Sequence, residues 1–96
     1  MIQSFGDSAT RALFEGRGGA AIKGIPADVR RVALRKLDVL NAAHVLEDLR
    51  SPPGNRLESL KGAWIGLHSI RVNEQWRIVF EWTSAGPAEV SLTDYH

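Results

Sequence analysis

Ninety-six residues, 44% hydrophobic and 24% charged, suffice for one small domain with a single core of helices on a sheet. The absence of cysteine excludes disulfides, thiolate metal sites and a cysteine nucleophile, and no apolar run approaches the roughly 20 residues that cross a bilayer. The net charge of +1 is unevenly spread: residues 1–36 hold seven Lys/Arg against three Asp/Glu, and residues 37–96 hold five against eight, so the first third could meet a polyanion or simply form a solvated face.

Met1-Ile-Gln-Ser-Phe5 lacks the basic start and apolar centre of a signal peptide, which makes the cytoplasm the expected compartment. Ile2 to Phe5 reads as a short strand. Asp7 or Ser8 then caps a helix to about Glu15 that buries Ala9, Leu13 and Ala12, and Arg17-Gly18-Gly19 stops it. The stretch from Gly18 to Gly24 reads as a loose connector. Tandem glycines suggest a phosphate loop, but no Gly-Lys-Ser/Thr follows them. Pro26 suits a helix's first turn, and Val29, Val32, Ala33, Leu37, Leu40 and Ala43 recur at helical spacing from Ala27 to about Ala43. Val45, Leu46 and Leu49 suggest a further short turn before Ser51-Pro-Pro-Gly54 breaks it.

Strand-type runs follow, from Trp64 to Asn73 and from Gln75 to Thr83, joined through the polar Asn73-Glu74-Gln75 as a hairpin. Ser84-Ala-Gly-Pro87 is a turn, and Glu89 to Tyr95 closes the sheet. A period of two places Ile70, Val72, Trp76, Ile78, Phe80 and Trp82 on a packed face and Arg71, Asn73 and Arg77 on the other. The reading is α+β, one domain over residues 1–96, in the order β-α-α-β-β-β with a largely antiparallel sheet.

No metal pattern is convincing: His44 has Glu47 and Asp48 at i+3 and i+4 but no second histidine nearby. No Gly-x-Ser-x-Gly elbow supports a serine triad. What remains is a set of cations and a titratable end: Lys61, Arg71, Arg77 and Asp94-Tyr95-His96. Arginine forks hold phosphate bidentately, lysine adds a point charge, and histidine exchanges a proton near neutrality. Cleaving RNA without metal requires a base for the 2′-hydroxyl, cations for the phosphorane and an acid for the 5′-oxygen, and this set is adequate for it. It is not specific. Arg71 and Arg77 could equally be cross-strand partners of Glu81 or Glu89, and Trp64, Trp76 and Trp82 read as core or core rim.

Longer stretches carry more. Pro26…Val29-Arg30-Arg31…Ala33-Leu-Arg-Lys-Leu37, Asp48-Leu-Arg-Ser-Pro-Pro-Gly-Asn-Arg-Leu-Glu-Ser-Leu-Lys-Gly62, Ser69-Ile-Arg-Val-Asn-Glu-Gln-Trp-Arg-Ile78 and the terminal Asp94-Tyr95-His96 together resemble the HigB-type toxins. These are the plasmid maintenance killer branch of the RelE superfamily. The resemblance implies a RelE-like fold and a cytoplasmic, ribosome-dependent mRNA endoribonuclease that cuts in the A site without cofactor or metal. It also implies a HigA-like helix-turn-helix antitoxin through which the pair would reach operator DNA. On matching positions, Lys61 and Arg77 would contact phosphate, with Arg77 stabilising the transition state. Arg71 lies on the same cationic face, while Asn73 and Gln75 would lie at the substrate rim. Asp94, Tyr95 and His96 would form the terminal catalytic and binding group, with His96 the proton-transfer residue.

Two departures stand out. Glu58 occupies a position where some members carry histidine, and Ala63-Trp64-Ile65 replaces the usual Asp-Arg and polar residue after Leu60-Lys61-Gly62. The Ala63-Trp64-Ile65 change, which adds apolar surface beside the groove, supports a second hypothesis, a RelE-fold module inactive as a nuclease that binds its antitoxin and acts as co-repressor. A third is a free-standing nucleic-acid-binding domain using the basic helix, which would show salt-dependent DNA affinity on its own.

Overall fold

The computed structural model describes residues 1–94. Two α-helices come first, α1 (Ser8–Phe14) and α2 (Ala27–Ala42), and four strands follow: β1 (Glu58–Ser59), β2 (Leu67–Arg71), β3 (Trp76–Thr83) and β4 (Gly86–Asp94). The strands make one antiparallel sheet in the order β1-β2-β3-β4. The α+β reading therefore holds, while the element order differs from the expected β-α-α-β-β-β. Ile2 to Phe5 forms no strand of its own; Phe5 makes a parallel bridge to Val90, and the Gln3 and Gly6 amides donate to Pro87 and Val90 carbonyls at 2.7 and 2.8 Å. That close approach explains Gly86. A Cβ there would lie 2.5 Å from the Met1 carbonyl oxygen, and its φ of +131° already disfavours any other residue.

Asp7 does two jobs at the start of α1. One carboxylate oxygen accepts the Thr10 amide at 2.7 Å as an N-cap, and the other accepts the Ser91 hydroxyl at 2.5 Å, tying the helix to β4. Thr10, fully enclosed, accepts the Leu92 amide at 2.9 Å through its hydroxyl. The helix ends at Phe14, before the tandem glycines, and Gly16 takes the left-handed conformation beyond it. The Gly18–Gly24 connector contains a 3-10 turn, Gly19–Ile22, because Ile22 and nearby Ile25 are buried in the core.

α2 buries Val29, Ala33, Leu37 and Leu40, spaced by four, four and three residues as one helical stripe requires. They share a cluster with Ile70, Ile78, Phe80, Val90 and Leu92 of the sheet. Leu37, Leu40 and Phe80 have no exposed surface, and each such burial is worth about 1.5–3 kcal/mol. Trp76 and Trp82 pack partly buried against this core, as their alternation predicts. Trp64 does not: it is 40% exposed, in a 3-10 turn (Gly62–Trp64) that delays the strand expected from Trp64 until Leu67. Gly62, at φ +65°, opens that turn, and Gly66, at φ +94°, follows it. The two-residue strand β1 was not legible in the sequence, since two residues carry no alternation.

Candidate nucleic-acid interface

Ile70, Ile78 and Leu92 align across β2, β3 and β4 on the core side. One residue along, Arg71, Arg77 and Thr93 form the neighbouring row, so their side chains leave the opposite face of the sheet. The Ser69–Val79–Ser91 row shares that face, and Glu58 of β1 extends it as the partner of Ser69. Two arginines directly opposite each other on adjacent strands repel, which disfavours the sheet unless an anion joins them.

Arg77 is not a loose surface cation. Its side chain is only 11% exposed. The Nε–H donates to the Ser69 hydroxyl at 2.8 Å, and Nη2 donates to the Arg56 carbonyl at 2.7 Å. Nη2 also lies 3.7 Å from a Glu58 carboxylate oxygen, and that carboxylate is 57% exposed. Among the described residues two of the five guanidinium donors are used, which leaves both Nη1 hydrogens and one on Nη2 for an incoming anion. The acidic neighbour of Arg77 is thus Glu58, rather than Glu81 or Glu89; Glu89 instead accepts the Ser4 hydroxyl at 2.7 Å.

The loop before β1 is built to present that Arg56 carbonyl. Arg56 adopts φ 45°, ψ 57°, the left-handed region, after a 3-10 turn over Pro53–Asn55. Asn55 is fully buried and its amide donates to the Leu49 and Ser51 carbonyls, 3.2 Å each, while its oxygen accepts the Lys36 ammonium from α2. Burial, reinforced by the charge of Arg35, lowers the Lys36 pKa below the ordinary lysine value.

The remaining expected site residues fall in two places. At the hairpin end, the Asn73 side-chain oxygen accepts the Gln75 and Trp76 amides at 2.8 and 2.7 Å, so half of its amide serves the turn. The exposed Gln75 amide donates to the Asp94 carboxylate at 3.1 Å, bringing those two together. Lys61 is exposed at the start of the Gly62–Trp64 turn, where its carbonyl accepts the Trp64 amide at 3.2 Å. Tyr95 and His96 lie outside the described residues. The Asp48 carboxylate, paired in the sequence with His44, accepts the His44 and Val45 amides at 2.9 and 3.2 Å, and these bonds lower its pKa. Among the described residues no cluster of three His, Asp or Glu side chains could hold a metal ion, and no helix is long and apolar enough to cross a membrane.

Sequence reasoning placed Arg71 and Arg77 on this face but did not single out Ser69, Asn55 or the Arg56 carbonyl. The hairpin register would have revealed Ser69, which stands two pairs from Arg71 on the same face. Asn55 gave no such signal, because Pro-Pro-Gly-Asn reads as an exposed turn.

The model of the RelE-like toxins of the type II toxin–antitoxin system HigB matches residues 3–96. Over 71 residues the chain is 50% identical to Toxin HigB-1 of Vibrio cholerae, a match covering 74% of this chain and 70% of that protein. It is 43% identical over 58 residues to an uncharacterised protein of Haemophilus influenzae, or 60% of this chain and 57% of the other. A third relative, Endoribonuclease HigB of Proteus vulgaris, is 33% identical over 97 residues, spanning the full length of both chains. The family match runs through both helices and every strand that carries the arginine face, and the chain belongs to the RelE-like HigB toxins of type II toxin–antitoxin systems.

Proposed function

We propose that the protein is an endoribonuclease toxin that cleaves mRNA in the ribosomal A site without metal and so arrests translation. The observation that carries this reading is the Arg71–Arg77 pair, opposed on one face with Arg77 tethered and its Nη1 hydrogens unpartnered among the described residues. Such a pair is matched to a phosphodiester, whose charge relieves the repulsion and grows as the phosphorane forms. That the full-length relative from Proteus vulgaris is named an endoribonuclease agrees with it.

In the reaction the 2′-hydroxyl attacks the adjacent phosphorus, the bond to the 5′-oxygen breaks, and a 2′,3′-cyclic phosphate and a 5′-hydroxyl result. Arg77 takes the non-bridging oxygens, with Arg71 and Lys61 steering the backbone. Glu58 is the acceptor for the 2′-hydroxyl proton, because its exposed carboxylate stands beside the Arg77 guanidinium. His96 returns a proton to the 5′-oxygen, and Tyr95 stacks on a base. Asn73 and Gln75 line the rim, where Gln75 also orients Asp94. The antitoxin is a HigA-like helix-turn-helix protein, and operator DNA is reached through it.

Primer extension on a defined mRNA, with and without programmed ribosomes, tests the reading. Cuts within A-site codons that need ribosomes and disappear in Arg77→Ala and on deletion of His96 are expected. Cleavage unchanged in both variants would place the active site elsewhere.

One observation favours a second reading, an inactive partner-binding co-repressor: Trp64 and Ile65 are 40% and 80% exposed beside Lys61. Under that reading, well-folded protein would fail to cut in the same assay yet tighten its antitoxin's grip on operator DNA.

A further inference from the structure

We infer that Ser69, together with the Arg56 carbonyl held in place by Asn55 and Lys36, is a positioning device that fixes the Arg77 guanidinium for phosphate. The inference rests on the proposed nuclease reading and goes beyond it by naming residues that touch no substrate.

The argument begins with burial. Ser69 has no exposed surface, on a face where its row neighbours Val79 and Ser91 are buried and half-buried. A hydroxyl so placed needs a partner, and Arg77 Nε–H supplies it at 2.8 Å. An arginine side chain that is 11% exposed is likewise short of water, and its Nε/Nη2 edge is satisfied by the Ser69 hydroxyl and the Arg56 carbonyl. Two anchors on one edge fix both the plane of the fork and its direction. Both Nη1 hydrogens are left without a partner among the described residues, so that the phosphate meets a donor pair needing no reorganisation.

The second anchor is a main-chain carbonyl, and it is aimed by residues far from the face. Arg56 sits in the left-handed region, a conformation a non-glycine residue keeps only where its surroundings hold it. Asn55, one residue earlier, is fully buried and joins three partners: two loop carbonyls and the α2 ammonium of Lys36. Helix α2 thereby sets the position of a carbonyl that orients an arginine on the far side of the sheet. The ion pair to Glu58 does not serve as an anchor; at 3.7 Å and mostly exposed it constrains the fork little.

The test is a double-mutant cycle between Ser69→Ala and Arg77→Ala, read by single-turnover cleavage of mRNA on programmed ribosomes and by melting temperature. Ser69→Ala removes one oxygen and leaves the strand pairing intact. The cleavage rate is expected to fall roughly 10- to 100-fold with half-saturation little changed, as for a misplaced catalytic group. Arg77→Ala alone costs about 100- to 1,000-fold, and adding Ser69→Ala to it costs nothing further. Full activity in Ser69→Ala, or losses that add in the double variant, would overturn the inference, because a merely structural serine acts without regard to Arg77. A second readout is independent of cleavage: the Arg77 Nε–H resonance in a nitrogen-15 spectrum. In the wild type it is resolved and slow to exchange, and in Ser69→Ala it is lost to solvent exchange. If the wild type cuts no mRNA, the nuclease reading fails. The resonance then still decides the tether: its loss in Ser69→Ala supports it, and an unchanged signal refutes it.

Discussion

Asn55→Ala is the sharpest test of how the loop is held. The side chain is wholly enclosed and makes three hydrogen bonds, to the Leu49 and Ser51 carbonyls and from Lys36. Truncation affects the three partners unequally. Leu49 is completely buried, so its carbonyl stays dry and carries the full penalty of about 1–3 kcal/mol for an unsatisfied group. Ser51 is exposed and Lys36 half-exposed, so both recover water and lose only the net worth of a bond, about 0.5–1.5 kcal/mol each. The sum centres on about 4 kcal/mol, against a total stability of roughly 5–14 kcal/mol for a chain of this size. At about 4–8 °C per kcal/mol for such a domain, the melting temperature should drop by more than 12 °C. Thermal melts followed by circular dichroism, with urea midpoints beside them, measure it. A drop below about 3 °C would mean that the loop re-pairs its carbonyls without Asn55. The account of Arg56 as a rigidly aimed anchor would then fail with it.

Three further outcomes are expected. Glu58→Gln should slow cleavage roughly 100-fold or more at unchanged melting temperature, whereas Glu58→His should keep activity with a pH–rate profile centred near the histidine range; a Gln variant as fast as wild type would remove Glu58 from proton transfer. Asp7→Ala removes both the α1 cap and the Ser91 hydroxyl's acceptor, at a cost of about 1–2 kcal/mol by urea denaturation, and a change under 0.5 kcal/mol would contradict the cap. Lys36 gives a pH dependence: its folded pKa lies below the ordinary 10.5, so between those two values the unfolded chain binds more protons and stability rises with pH. Relative to Lys36→Arg, which does not titrate there, the wild type should gain stability as pH climbs through that window; a flat difference would refute the shift.

How much of this was legible in the sequence follows from where physical signals are local. α2 was readable because its apolar stripe repeats every three or four residues over sixteen positions, and the hairpin because alternation flanks a polar break. The extended Ile2–Phe5 segment was visible as β-type, but its parallel pairing depends on Val90, far along the chain, which no local pattern announces. The same holds at the face. Arg71 and Arg77 announced themselves by parity, whereas Ser69 as an anchor required the register, and Asn55 required knowing that α2 passes over its loop. Asn73 illustrates the opposite case: alternation placed it on the polar face and the resemblance implied the substrate rim, and the geometry adds that its oxygen already closes the hairpin.

The chain has joined two requirements that ordinarily conflict. A face for phosphate needs uncompensated positive charge, yet like charges opposed on neighbouring strands weaken the sheet that carries them. Here the burden is divided by geometry. Arg71 is left half-exposed, where water screens it, and Arg77 is drawn inward and held by neutral acceptors, a hydroxyl and a carbonyl, at 2.8 and 2.7 Å. Neutral acceptors satisfy hydrogen bonds without cancelling charge, so the fork stays both fixed and electrophilic. A carboxylate at the same distance would have anchored it equally well and spoiled it for phosphate. Among the described residues the carboxylate paired with it, that of Glu58, stands 3.7 Å off and is more than half exposed. In the proposed reaction, a carboxylate at that range would oppose an incoming phosphate weakly while remaining close enough to take a proton from the nucleotide.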